Sequence, residues 1–426
     1  MQVTLERKSP TRARLAISAS AEELEAIKGH VLASHFSDVK VPGFREGRAP
    51  QHLIEKSANQ QRLFDEFMEH AINDLFRKAV EQEKIRPIGQ PNIEVKKFVP
   101  YTTLEFESEQ DIIGKISLAN YKQIKMAKPK VQVSAKEVDD VLKSLGKRMA
   151  DRKAVERAAK NGDEVMIDFD GSNAKGEPVA GASGKDYPLI LGSKNFVPGF
   201  EEALVGLKAG GDKEFKVTFP ADYGVPALRA KPVTFKVNVK QVNELTEPKL
   251  DDELAKKIGP FASVAELKVD IKKQLTAEQE TRALQQYESE LIKRISEKSK
   301  VEFPQSLVED QLNAMEESEK RDLVMRGQTW QEHLKDEGVS EEQHRERKRE
   351  EAAERVKAGL VLSEISIVEG LDVEPAELDT RISSLKTQYQ DPAMRAELDK
   401  PENRQDIAAR LLTEKTINRL VGYASK

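Results

Sequence analysis

The sequence predicts a multidomain α+β protein: an α+β module at the N-terminus, an antiparallel β-sheet module with one short helix in the middle, and an all-α C-terminal region with extended arms. Three observations carry that prediction. The chain has 426 residues, and at roughly 100–200 residues per domain this implies two to four domains. Eleven of the 23 glycines and eight of the 23 aromatic residues fall in residues 162–245, the mark of short strands joined by tight turns. Residues 246–426 hold only six aromatics and run through charged stretches such as Glu341 to Lys357, which reads as long solvated helices.

Composition narrows the function. Charged residues make up 34% of the chain and aromatics 5%, while the hydrophobic fraction of 38% still supports folding. Lys and Arg number 69 against 74 Asp and Glu, a net charge of −5, which excludes a generally basic nucleic-acid coat and confines any RNA contact to a local patch. The absence of cysteine removes disulfides, thiolate zinc sites and thiol nucleophiles. Met1 to Pro10 carries Glu6, Arg7 and Lys8 and lacks the apolar run of a signal peptide, and no later stretch approaches about 18 apolar residues. The expectation is a soluble cytosolic protein with no membrane partner.

Residues 1–112 form the first predicted module. Val3, Leu5, Leu15 and Ile17 give strand signals, and Ser20 with Glu23 forms a capping-box pattern. Leu24, Ile27, Val31 and Leu32 then recur at helical spacing, as do Phe64, Phe67, Met68, Ala71, Ile72, Leu75, Phe76 and Ala79. Between the two helices, Val41 to Pro50 holds two prolines and two glycines and is a projecting loop. Strand-like runs return at 92–107. Residues 113–161 read as a connector, partly packing with the C-terminal region, with a charged helix from about Ser134 to Ala159. Residues 162–245 are the β module. Residues 246–426 are helical, with starts marked at Pro304, Pro375 and Pro401.

The β module carries an ordered series: Val165 to Gly171, Leu191-Gly192, Phe196-Val197-Pro198-Gly199-Phe200-Glu201-Glu202, a turn at Gly206 to Gly211, Phe215, Val217 and Phe219 in strand alternation, Pro220-Ala221-Asp222-Tyr223-Gly224, and Thr234 to Val237. Any one of these phenylalanines alone is an ordinary core residue. Together the series resembles the FKBP-type prolyl isomerase domain. Strand alternation turns Val165, Ile167 and Phe169 to one face and Asp168 and Asp170 to the other. The resemblance implies a prolyl pocket lined by Phe169, Tyr187, Phe196, Val197, Phe200, Tyr223 and Phe235. Val179 departs from the aromatic residue usual at its position, and Ala180 from a common acidic one, so the resemblance implies a pocket open on that side.

The projecting loop, Gly43-Phe44-Arg45-Glu46-Gly47-Arg48-Ala49-Pro50, resembles the G-F-R-x-G-K-x-P ribosome-binding signature of the bacterial trigger factor family. As bare sequence it is a solvated turn with two arginines. Residues 1–112 hold 16 basic and 18 acidic residues, so attraction to RNA would be confined to the tip, with Arg48 in place of the usual Lys and Glu46 adding an opposing charge. Module order and the runs Val301 to Pro304 and Gly359 to Ile365 extend the resemblance over nearly the whole chain.

The resemblance implies an ATP-independent chaperone that docks at the ribosome exit site, shields nascent chains from aggregation and isomerises X–Pro bonds. Residues 1–112 would bind the ribosome through Gly43, Phe44, Arg45, Gly47 and Arg48, contacting an exit-tunnel protein and nearby rRNA. Residues 246–426 would hold nascent or unfolded polypeptides, with Val324, Met325, Trp330, Leu360, Val361 and Leu362 as candidate contacts, because helices this charged cannot bury much apolar area among themselves. A weak homodimer would add a second copy of the chain as partner. Two alternatives stand beside this reading: a stand-alone isomerase whose helices dimerise it, and a chaperone with a vestigial isomerase module. No cofactor is expected. No metal is expected either: His30 with His35, and His333 with His344, have no ligand-like spacing and read as surface histidines.

Overall fold

Alternating apolar residues at the N-terminus close into a hairpin, β1 (Gln2–Ser9) with β2 (Arg12–Ala19). The computed structural model describes residues 1–35, 41–44, 50–173, 175–220, 223, 228–246 and 248–425. Two units divide the chain: residues 1–127 with 288–319 and 345–426, and residues 128–287 with 320–344.

In the first unit, helix α1 (Ala21–His35) starts where the Ser20 amide donates to the Glu23 carboxylate at 3.0 Å, the reciprocal cap the sequence predicts. A short helix α2 (Gln51–Ser57), not foreseen in the sequence, follows Pro50. Helix α3 (Gln60–Glu83) is capped by Asn59 and buries Leu63, Phe67, Ala71, Leu75 and Ala79, a stripe at four-residue spacing that faces one side. Strands β3 (Pro87–Val99) and β4 (Thr103–Ile112) complete an antiparallel sheet of order β1-β2-β4-β3. Leu15 and Ile17 on β2 and Leu104, Phe106 and Ile112 on β4 join the helix stripes in one core, and each fully buried side chain of this size contributes roughly 1.5–3 kcal/mol.

Beyond β4 runs the short strand β5 (Ile116–Ser117). Helix α4 (Ala135–Arg148) begins in a complete capping box at Ser134 and Glu137. It does not continue to Ala159 as the sequence suggests. Residues Asp151–Ala154 instead form strand β6 on the β module, and the Arg157 guanidinium binds Asp163 at 2.5 Å and Glu244 at 2.9 Å. An edge strand and an ion pair therefore override the helical pattern.

The β module contains β7 (Glu164–Ser172), β8 (Pro178–Ile190), helix α5 (Phe200–Leu204), β9 (Gly211–Thr218) and β10 (Pro232–Thr246). The long β10 is central: β7 flanks it on one side, while on the other β9 pairs with its first half and β6 with its last residues. Helices α6 (Asp252–Ile258) and α7 (Val264–Lys298) follow. Val138 and Leu142 of α4 pack with Ala255, Leu267 and Ile271 in a small core of the second unit.

Strand β11 (Lys300–Val301) pairs back with β5. The C-terminal helices are α8 (Gln305–Met325), α9 (Trp330–Glu337), α10 (Glu341–Val368), α11 (Pro375–Lys386), α12 (Pro392–Glu397) and α13 (Pro401–Ala424). Pro375 and Pro401 open their helices, as the sequence predicts. Within the first unit, the Glu369 carboxylate accepts hydrogen bonds from Tyr121 and Tyr423 and pairs with Lys122. Lys122 first, and then the two hydroxyls, hold its pKa down at about 2. Among the described residues no helix is long and apolar enough to cross a membrane.

Candidate active site

The aromatic cluster of the β module is assembled from four elements. Strand β7 turns Val165, Ile167 and Phe169 inward, while Asp168 faces away and accepts the Asp186 amide at 2.7 Å, as strand alternation requires. Opposite Phe169 on β8 stands Gly184. A Cβ there would come within 2.7 Å of the Phe169 ring, so the ring occupies space that only glycine leaves open. Strand β10 supplies Phe235, directly paired with Phe215 of β9.

Helix α5 delivers the fourth component. Gly199, at φ +93°, turns the chain into the helix, and Phe200, fully buried, becomes the hub. Its ring centroid lies 4.5 Å from Phe196, 5.0 Å from Phe235, 5.2 Å from Phe215 and 5.9 Å from Phe169. Tyr187, 43% exposed, stands at the rim, 5.9 Å from Phe169 and 5.5 Å from Phe196. Tyr223 packs edge-on against Phe219 at 4.7 Å. Among the described residues neither the Val197 amide nor the Tyr223 hydroxyl has a hydrogen-bond partner. Phe196, Val197 and Tyr223, partly buried, thus pack against the apolar cluster that Phe169, Phe200 and Phe235 share.

Glu201 was absent from the sequence-derived site. Its buried carboxylate accepts the backbone amides of Gly192 (2.7 Å), Lys194 (3.1 Å), Asn195 (2.9 Å) and Phe196 (3.2 Å), and the Ser193 hydroxyl (3.2 Å). Burial alone would push its pKa up; the amides outweigh burial and hold it below the ordinary value. One carboxylate thereby shapes the loop that presents Phe196 and Val197. Only its place beside Phe200 in the sequence hinted at this.

Three stretches of the chain match known protein families. Residues 1–145 match bacterial trigger factor protein (TF), residues 155–244 FKBP-type peptidyl-prolyl cis-trans isomerase, and residues 263–422 the bacterial trigger factor protein (TF) C-terminus. The chain is 32% identical to the trigger factor of Caldicellulosiruptor bescii over 91% of its own length and 89% of that protein. It is 32% identical to that of Carboxydothermus hydrogenoformans over 100% and 99%, and 31% identical to that of Bacillus subtilis over 92% and 93%. The chain belongs to the trigger factor family. Trigger factor is a chaperone with prolyl isomerase activity, and the aromatic cluster lies inside this chain's FKBP-type isomerase domain.

The other expected site residues of this trigger factor chain divide. In the signature loop, Gly43 takes φ +87° and Phe44 is 46% exposed, while Arg45, Gly47 and Arg48 lie outside the described residues. Among the expected client contacts, Val324 and Met325 are 73% and 87% exposed at the end of α8. Leu360 is half-buried. Val361 and Leu362 are buried instead, on a face of α10 that also buries Ile365 and Ser366; four-residue spacing turns this stripe inward. The exposed apolar pair of α10 is Ile367 and Val368 at its C-terminal end. Trp330 is half-covered by Lys320, whose Nζ lies 5.3 Å from the ring centroid, and by the edge of His344. His344, read as a surface residue from sequence, is buried because α10 folds it under this tryptophan.

Proposed function

We propose that this chain docks beside the ribosome exit site in the cytoplasm through its signature loop, holds nascent chains on exposed apolar positions of its C-terminal helices, and isomerises their X–Pro bonds in the aromatic pocket. The observation that carries the catalytic part is the apolar floor bordered by two donors, the Val197 amide and the Tyr223 hydroxyl, that have no acceptor among the described residues. Rotation about X–Pro faces a barrier of roughly 20 kcal/mol because resonance stiffens the C–N bond. An apolar floor disfavours the charge-separated planar form. Donors at the rim anchor the substrate so that binding favours the twisted amide. No titrating group is needed.

Support for docking comes from the signature sequence and the exposed Phe44 ring. An exposed ring beside two arginines suits a protein surface flanked by phosphates. Replacing Phe44, Arg45 and Arg48 together by Ala is expected to weaken co-sedimentation with bacterial ribosomes at least tenfold, about 1.4 kcal/mol, and to flatten its salt dependence. Unchanged co-sedimentation across a salt series would overturn the docking role.

A further inference from the structure

The chain's single tryptophan covers a cluster that neither the isomerase pocket nor the signature loop uses. Trp330 opens α9 after Thr329, whose hydroxyl caps the helix by accepting the Glu332 amide. His333 and Glu337, four residues apart, share one face of α9. The helix stops at Gly338, at φ +67°, and the short turn that follows brings His344 in the first turn of α10 back beside them. His344 Nδ1 lies 3.0 Å from Glu337 Oε2, and His333 Nε2 lies 3.4 Å from Glu337 Oε1. The two histidine rings stand 5.7 Å apart at 81°. His344 is 3% exposed.

We propose that His333, Glu337 and His344 form a binding site for a divalent transition metal of the zinc type. Two imidazoles and a carboxylate are the donor set such ions take when three protein ligands leave a fourth position for water, whereas Mg²⁺ and Ca²⁺ seek oxygen alone. The geometry is close to formed. With metal–ligand bonds of about 2.0–2.2 Å, neighbouring ligands of a tetrahedral ion stand roughly 3.3 Å apart, and each imidazole already stands at about that distance from one of the two Glu337 oxygens. Both imidazoles must turn toward a shared position beside the carboxylate to close the site. A dication would engage all three groups at once.

Metal binding would tie the start of α10 to α9. The same turn of chain is already joined to the end of α8, since the Gln328 amide donates to the Leu323 carbonyl at 3.0 Å and its side chain to Asp336 at 2.9 Å. The ion would therefore stiffen the tip that carries Val324 and Met325. That consequence rests on their proposed client role; the site itself does not.

Trp330 provides the readout, with ring centroids 5.6 Å from His333 and 5.1 Å from His344. Full-length, tag-free protein stripped with chelator is titrated with ZnCl₂ while tryptophan emission and calorimetric heat are followed. The expected result is one Zn²⁺ per chain coupled to a change in emission, and none with millimolar Mg²⁺ or Ca²⁺. His333→Gln and Glu337→Gln should each weaken binding at least tenfold and remove the emission response. Both lie at less buried positions than His344, so circular dichroism should show the fold intact. His30→Ala/His70→Ala, in the first unit, should leave both signals unchanged. An emission trace that ignores Zn²⁺, or equal affinity in the Gln variants, would overturn the site.

Discussion

Around Phe200 the aromatic rings interlock in one cluster, whereas α8 and α10 meet through charge. Arg345 binds Glu309 and Glu316, each at 2.8 Å, Arg349 binds Glu309 at 2.5 Å, and Lys348 pairs with Glu319. The apolar seam between these helices is thin, with Val308, Leu312 and Ala352 as its buried residues. The proposed roles of the two regions account for the difference. A twisted prolyl bond has one shape, so its site is dense and preorganised. Unfolded chains have no common shape. In the proposed client role, weak apolar spots on a charged scaffold would suit them better, because many such contacts add up while each one releases readily.

Substitution should therefore act differently in the two regions. The largest effect is expected in the isomerase domain: Phe200→Ala removes the hub ring and should cost about 3–5 kcal/mol, read by denaturant unfolding, with loss of isomerisation. Glu201→Ala comes next, at about 2–3 kcal/mol, because five donors lose their acceptor. The Glu201 pKa is lowered by folding. Its contribution is thus complete above the pKa of an unfolded carboxylate and disappears as pH falls through the lower folded value. Glu369 behaves alike, its contribution fading between the ordinary 4.5 and about 2. An acid titration followed by circular dichroism should accordingly show Glu201→Ala less acid-sensitive than the parent chain.

Tyr223→Phe keeps the ring on Phe219 and deletes only a hydroxyl without a described partner. Stability should shift by less than about 0.5 kcal/mol, while isomerisation of a short X–Pro peptide should slow about tenfold, roughly 1.4 kcal/mol of barrier. The smallest structural effect is expected at the end of α8. Val324→Asp with Met325→Asp should leave unfolding unchanged within about 0.5 kcal/mol and still impair suppression of aggregation of a denatured client.

Much of this architecture is legible in the sequence because the signals are local. The Ser20–Glu23 and Ser134–Glu137 boxes, the stripe of α3 and the prolines of α11 and α13 each act within a few residues. The aromatic site is legible through an ordered motif. What escaped depends on tertiary placement. Residues 151–154 read as helix until β10 offers an edge. Glu201 reads as an ordinary helix-start acid until the 192–196 loop folds over it. Val361 and Leu362 read as exposed because the sequence does not reveal which face of a charged helix turns inward. His333 and His344, eleven residues apart, meet only because α9 turns back at Gly338.

The proposed division of labour between the aromatic site and the end of α8 is tested most directly by measuring Tyr223→Phe and Val324→Asp/Met325→Asp side by side, as full-length proteins, in peptide isomerisation and in aggregation suppression. The account predicts a crossed result: the tyrosine variant loses isomerisation and retains protection of the client, and the α8 variant does the reverse. A parallel loss of both activities in either variant, with the fold intact by circular dichroism, would contradict it.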